Sequence, residues 1–181
     1  MLKATLKNAM AERGWSGFSG VVKVLYLYIF RAWFWPVCAE LLPSNLSPFF
    51  RRLQGAKVGK GVFIDRSVIL DGIHAELITI GDDVRLAPGS IVYCHAKAGN
   101  VLSEYLPDLV APVVIKDHAF IGLNAIVMPG VTVGEGAVLT CGSVALASIP
   151  DYTLAAGNPA RVIRSLKPTP PPDASLGNAQ A

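Results

Sequence analysis

Three histidines are the side chains of this sequence best suited to moving protons near neutral pH. They are His74, His95 and His118, at spacings of 21 and 23 residues. An imidazole titrates close to physiological pH, so each is a candidate acid, base or metal ligand. Zinc ligands that share one element lie a few residues apart, and no such pair occurs here. The cysteines Cys38, Cys94 and Cys141 are odd in number and widely spaced, with no C-x-x-C pair. A disulfide framework is therefore not readable, and a reducing compartment is the simpler inference. His95 stands out by its setting, "SIVYCHAK" at 90–97. Aliphatic residues recur every sixth position before it, then the pattern lapses beside it. Cys94, its neighbour, is a second candidate nucleophile. Strand alternation aims it at the opposite face from His95, which makes it a core residue.

The element that must position His95 is set by that count of six. Aliphatic residues fall at Val58, Ile64 and Leu70, at Ile80, Leu86 and Val92, and at Ile115, Ile121, Val127, Val133 and Leu139, ending weakly at Ala145. Four positions after most of them comes a small or β-branched residue, and glycine often follows directly, as at Gly59, Gly81, Gly122 and Gly134. A period of six is neither helical nor simple strand alternation. It fits a coil of triangular cross-section, with short strands of about six residues as sides and an aliphatic ladder inside. About a dozen hexads make roughly four coils. A β-sandwich, with turn signals every 8–12 residues, does not explain the spacing. Two interruptions break it: a ten-residue step from Leu70 to Ile80, and a twenty-three-residue step from Val92 to Ile115. The second leaves a loop at 96–112, and a loop that long inside a solenoid is usually functional.

Composition agrees with a folded domain. The chain has 181 residues, 52% of them apolar and 16% charged, which excludes disorder throughout. Residues 1–60 carry nine Lys/Arg against Glu12 and Glu40, a balance of +7, and the remainder carries seven basic and eleven acidic side chains, a balance of −4. Trp15, Trp33 and Trp35 lie in the basic part. Basic plus aromatic points to a membrane surface rather than nucleic acid, with a solvated helical face as the plain alternative. The apolar run Val24–Leu42 has Arg31 near its middle and Pro36 to interrupt a helix. It is marginal as a spanning helix and poor as a signal peptide. Three readings stay open for it: helices in the membrane interface, helices on a partner subunit, or a helix over one end of the chain's own core. The division expected is a helical segment at 1–54, a coil domain at 55–166, and a Pro-rich tail at 167–181 expected to be disordered.

"GAKVGKGVFID", "ITIGDDVRLAPGSIVYCH", "PVVIKDHAFIGLNAIVMPGVTVGEGAVLTCGSVALASIP" and "AAGNPARVIR" together resemble the left-handed β-helix, hexapeptide-repeat acyltransferases. The galactoside, maltose and surface-polysaccharide O-acetyltransferases are the nearest in look. The left hand comes from this resemblance alone, because parallel crossovers are otherwise right-handed. The resemblance implies a mainly β fold and a homotrimer with active sites in the grooves between subunits. It implies a histidine general base at the start of the long loop, which by position is His95. An imidazole within reach of an acceptor hydroxyl can take its proton as the oxygen attacks a thioester.

Acceptor contacts are expected from Ser67, His74 and Glu76, with Asp71 and Glu76 as candidates for orienting His95. The donor implied is acetyl-coenzyme A or another acyl-coenzyme A. Backbone near Gly122, the small residues Cys141 and Gly142, and Phe120 would flank its pantetheine arm. Arg161 and Arg164 would meet its phosphates. The pattern departs at "GSVALAS", where Leu146 and Ala147 replace the Thr-Lys pair common in relatives, so one phosphate contact is missing. His118 is read as a surface residue at an outer corner. The acceptor expected is a saccharide, a polysaccharide precursor or a lipid-linked saccharide, at the cytoplasmic face of the membrane, with peripheral contact through residues 1–50. No metal and no nucleic acid are expected. Two other classes compete: a non-catalytic assembly scaffold, and a metal-dependent carbonic anhydrase of the same coil, which needs closely paired histidines that this chain lacks.

Overall fold

A computed structural model describes residues 10–11, 14–41, 44–97, 105 and 107–166. The tail at 167–181 and the centre of the long loop lie outside the described residues. The hexads wind into three parallel sheets of a left-handed β-helix, with strand orders β1-β4-β9-β12, β2-β5-β10-β13 and β3-β6-β11-β14. Coil one comprises β1 (Lys57–Val58), β2 (Phe63–Ile64) and β3 (Ile69–Leu70). Coil two comprises β4 (Ile78–Ile80), β5 (Arg85–Leu86) and β6 (Ile91–Val92). After the short strands β7 (His95–Ala96) and β8 (Leu109–Val110), coil three is β9 (Val113–Ile115), β10 (Phe120–Ile121) and β11 (Ile126–Val127). Coil four is β12 (Thr132–Val133), β13 (Val138–Leu139) and β14 (Val144–Ala145). The strands are two or three residues long, shorter than the six-residue sides expected, because the corners consume the rest of each hexad.

Register stacks the aliphatic residues into three ladders. Ile64, Leu86, Ile121 and Leu139 align on one side of the prism. Leu70, Val92, Val127 and Ala145 align on the second, and Val58, Ile80, Ile115 and Val133 on the third. All but Val58 are buried. Each large aliphatic side chain placed so contributes about 1.5–3 kcal/mol. The small residues between them, such as Val84, Ser90, Ala119, Ala125 and Ala137, are buried too.

Every sixth residue, offset from the ladder, turns a corner with positive φ: Gly61, Ser67, Asp83, Gly89, His118, Asn124, Gly130, Gly136 and Gly142. Three of the glycines that follow ladder residues have another role. A Cβ at Gly59, Gly81 or Gly134 would lie 2.3, 2.2 or 2.6 Å from Oδ1 of Asp82, Asp117 or Asp151. Those carboxylates accept from the backbone N–H of Lys60, Asp82 and Glu135, so the corner needs the space.

Both ends of the prism are closed. Strand β15 (Thr153–Gly157) pairs parallel with β13, then turns back as antiparallel β16 (Ala160–Ser165). At the other end, helix α3 (Ser47–Gln54) packs on β1 and β2. Its Arg52 donates to the carbonyls of Val58 and Gly59, and the buried Arg51 donates to the Val68 carbonyl at 2.5 Å. Before it, α1 (Gly17–Tyr26) widens into π-helical winding at Leu27–Phe34 and continues as α2 (Trp35–Leu41). The break expected at Pro36 does not occur. The wider winding just before the proline absorbs the carbonyl that its ring would strike. Gly72 lets this helix approach the coil: a Cβ there would sit 2.7 Å from the Ala32 Cα.

Candidate active site

The ten-residue step builds the first half of the site. Asp71 follows the last ladder residue of β3, and the excursion it opens closes through a 3-10 turn, Ala75–Leu77. Its carboxylate is fully buried. One oxygen accepts from the backbone N–H of Ile73 at 2.9 Å and of His74 at 3.0 Å. The other accepts from the Cys94 N–H at 3.1 Å and lies 2.5 Å from Nδ1 of His95. Burial alone would raise this carboxyl, but the hydrogen bonds from His74 N–H, the His95 ring and Cys94 N–H outweigh it and hold the group below its ordinary range.

The long loop supplies the second half. His95 opens β7, which pairs antiparallel with β8 so that His95 faces Val110 across the loop's stem. With Asp71 ionised, Nδ1 carries the proton and donates it, which leaves Nε2 as the acceptor nitrogen. The side chain is 16% exposed. The Tyr93 ring lies 4.9 Å away and the His74 ring 5.1 Å away. His74 Nδ1 in turn sits 3.8 Å from the Glu76 carboxylate. Cys94 is buried on the opposite side of the strand, as alternation expects. Burial, then the charges of Asp71 and Glu76, push its thiol up to about 12, so it is no nucleophile.

A groove of about 420 Å³ adjoins this cluster, between Ala32, Pro36 and Val37 on the helix and Ser67, Ile69, Gly72, Ile73 and Tyr93 on the coil. Thus the structure gathers His95, Asp71, His74 and Glu76 into one place and sets Ser67 in the adjoining wall. Ser67 also turns a corner, with φ 60°.

The residues expected to hold the donor lie elsewhere on the same chain. Phe120 is on β10, in the neighbouring sheet. Gly122 and Cys141 stack one coil apart: a Cβ at Gly122 would meet the Cys141 nitrogen at 2.6 Å. Gly142 donates its N–H to the Leu123 carbonyl. Arg161 and Arg164 lie exposed on β16. His118 points at Asp83, 3.8 Å away, on a corner distant in the winding from His95. Among the described residues, no group of three His, Cys, Asp or Glu is placed to hold a metal ion.

Asp71 is the residue that reading along the chain leaves undecided. Its signal is register: Leu70 pairs with Val92, which brings Asp71 beside the backbone that leads to His95.

Comparison with known proteins bears on this arrangement. Residues 112–146 match the family model described as the hexapeptide repeat of succinyl-transferase. A putative acetyltransferase of Schizosaccharomyces pombe, C18B11.09c, is 41% identical over 101 residues, covering 52% of this chain and 46% of that protein. The putative acetyltransferase YvoF of Bacillus subtilis is 30% identical over 114 residues, covering 63% of each. The chain thus spans less than two thirds of the length of these curated relatives. The crystal structure of a hexapeptide-repeat acetyltransferase of Vibrio cholerae, VCA0836, superposes with a TM-score of 0.63 at 26% identity, covering 78% of this chain and 93% of that one. The same Vibrio protein complexed with acetyl-coenzyme A gives a TM-score of 0.64 at 24% identity, covering 84% and 93%.

Proposed function

Since the chain belongs to the hexapeptide-repeat acetyltransferase family, we propose that it transfers an acetyl group from acetyl-coenzyme A to an acceptor hydroxyl, with His95 as general base. The hydrogen bond between His95 Nδ1 and the buried Asp71 carboxylate carries this reading. It fixes the tautomer in which Nε2 accepts a proton. The hydroxyl gives that proton to Nε2 as its oxygen attacks the thioester carbonyl carbon. The tetrahedral adduct collapses, the carbon–sulfur bond breaks, and the departing thiolate takes the proton back. Asp71 stabilises the transient imidazolium, so it positions and supports without touching substrate. A scaffold reading leaves this buried pair without a role.

Ser67, His74 and Glu76 are the acceptor contacts in this proposal, and a saccharide or lipid-linked saccharide is the acceptor class. Phe120, Gly122, Cys141, Gly142, Arg161 and Arg164 form the donor groove, which lies in and beside the sheet next to the one leading to His95. A homotrimer reconciles the two, with the donor groove of one subunit meeting His95 of the next. The outward column Ile91, Ile126 and Val144 supports such packing, being aliphatic throughout. The division into a helical arm at 1–54 and a catalytic coil at 55–166 belongs to the same proposal. So does peripheral membrane contact through the arm, which is supported by a 22-residue apolar helical run, Gly17–Cys38, that is mostly exposed.

Replacement of His95 by alanine tests the core of this. The variant is expected to fold and to be stabilised by coenzyme A in a thermal-shift assay, while turnover falls about 10²–10⁴-fold. Near-normal turnover removes His95 as the base.

A further inference from the structure

The groove beside His95 has a character that a saccharide site does not require. Its walls are Ala32 and Val37 from the helix and Ile69, Ile73 and Tyr93 from the coil, apolar over the greater part of their surface, with Ser67 among the polar contributors. Arg51 borders the floor, but its guanidinium is engaged with the Val68 carbonyl and Gln54 Oε1. Hydroxyls of a sugar ring pressed against such walls would lose water and gain few partners. A volume of about 420 Å³ lies in the range of small-ligand sites, and aliphatic chains suit these walls.

Position adds to the argument. Tyr93 belongs to both places: it lines the groove and its ring lies 4.9 Å from that of His95. Gly72 lines the groove and is the residue next to Asp71. A molecule whose hydroxyl reaches His95 can therefore lay its remainder against the helix. The helix also exposes Phe18, Tyr28, Ile29 and Trp33, which extends its apolar surface beyond the groove.

We propose that this groove, formed between the N-terminal helix and the first two coils, binds an apolar tail carried by the acceptor, so that the substrate is an amphiphilic alcohol with its hydroxyl at His95. The proposal rests on the acyl-transfer reading and specifies its acceptor. The groove acts on KM, since an alkyl chain held there contributes equally before and during transfer.

The test uses the full chain with acetyl-coenzyme A and a series of methyl, butyl, hexyl and octyl β-D-glucopyranosides, each below its micelle concentration. Coenzyme A release is measured with a thiol reagent. A rise in kcat/KM of about tenfold or more from methyl to octyl, through KM, is expected. Ile69→Trp and Val37→Trp fill the groove from opposite walls at half-exposed positions, and each is expected to flatten the series. A series flat in the unmodified protein, as when a second copy of the chain fills the groove, overturns the proposal. So does a series that both plugs leave steep.

Calorimetric titration with octyl and methyl glucoside separates the two layers of inference. Saturable octyl binding that both plugs abolish supports the groove even where no glucoside is acetylated, and the failure then lies with the choice of hydroxyl or with acyl transfer. Absence of saturable octyl binding overturns the groove, whatever the turnover.

Discussion

Replacement of Asp71 by asparagine should separate the positioning of His95 from its presence. Asparagine fits the same space. Its oxygen can keep the bonds from the Ile73 and His74 N–H groups, at 2.9 and 3.0 Å. Its NH₂ then faces the Cys94 N–H and His95 Nδ1, where a carboxylate oxygen had accepted from both. The amide N–H and the Cys94 N–H then confront each other as two donors, and one buried donor left unmatched costs about 1–3 kcal/mol. The imidazole can answer the amide only by accepting at Nδ1, which moves its proton to Nε2 and removes the base. We expect kcat to fall about 10²–10⁴-fold, with KM for acetyl-coenzyme A little changed. Stability should fall by about 2.5–6 kcal/mol in urea unfolding at pH 7, the sum of an unmatched donor and a lost charge-assisted bond.

The pH dependence supplies a sign. The folded carboxyl lies below its ordinary range, so the stabilisation it brings is complete above the unfolded value, about 3.9, and drains away as pH falls through the folded one. The gap between the two proteins should therefore narrow below about pH 4. An Asp71→Asn protein with more than half of the original kcat, or with a stability deficit constant from pH 7 to pH 3, would refute the reasoning.

Other perturbations test other parts. Cys141 is exposed and Cys94 is buried with its thiol pushed up to about 12, so a thiol reagent at pH 8 should modify Cys141 promptly and Cys94 only on unfolding, as peptide mass mapping would reveal. Leu86→Ala and Ile121→Ala each empty a fully buried ladder position and should cost about 2–5 kcal/mol in chemical denaturation. Gly122→Ala would drive a methyl group to 2.6 Å from the Cys141 nitrogen, and a melting temperature lower by several degrees is expected even without coenzyme A. Deletion of residues 1–45 should abolish co-sedimentation with anionic vesicles and leave α3 and its arginine contacts in place; unchanged sedimentation would remove the membrane role of the arm.

The winding was legible because its constraint is strictly periodic. A residue that must fill a triangular interior recurs every six positions, and Ile64, Leu86, Ile121 and Leu139 obey without exception. The site was legible only in part. His95 could be placed because the repeat fails beside it, and His74 because it lies in the other interruption. The Asp71–His95 bond spans 24 residues and depends on register between two coils, which no local pattern encodes. The groove was less legible still. One wall belongs to a helix whose docking turns on Gly72 meeting Ala32, and nothing in either neighbourhood announces that contact. Strand length was less legible, because how many residues each corner takes shows only in the backbone, as the positive φ at Ser67 and Asp83 marks.

The closed ends of the prism have a bearing on how copies of this chain can meet. A coil of parallel strands is a ready template for its own continuation, and stacked prisms could in principle polymerise without limit. Here the carbonyls of Val58 and Val68, which would receive the next coil, are taken by Arg52 and Arg51. At the opposite rim β16 runs against the grain of the sheet it completes. An incoming prism would have to displace guanidinium groups at one rim or match a reversed strand at the other. End-to-end stacking is thereby disfavoured, which leaves the aliphatic flanks as the surfaces on which copies would meet.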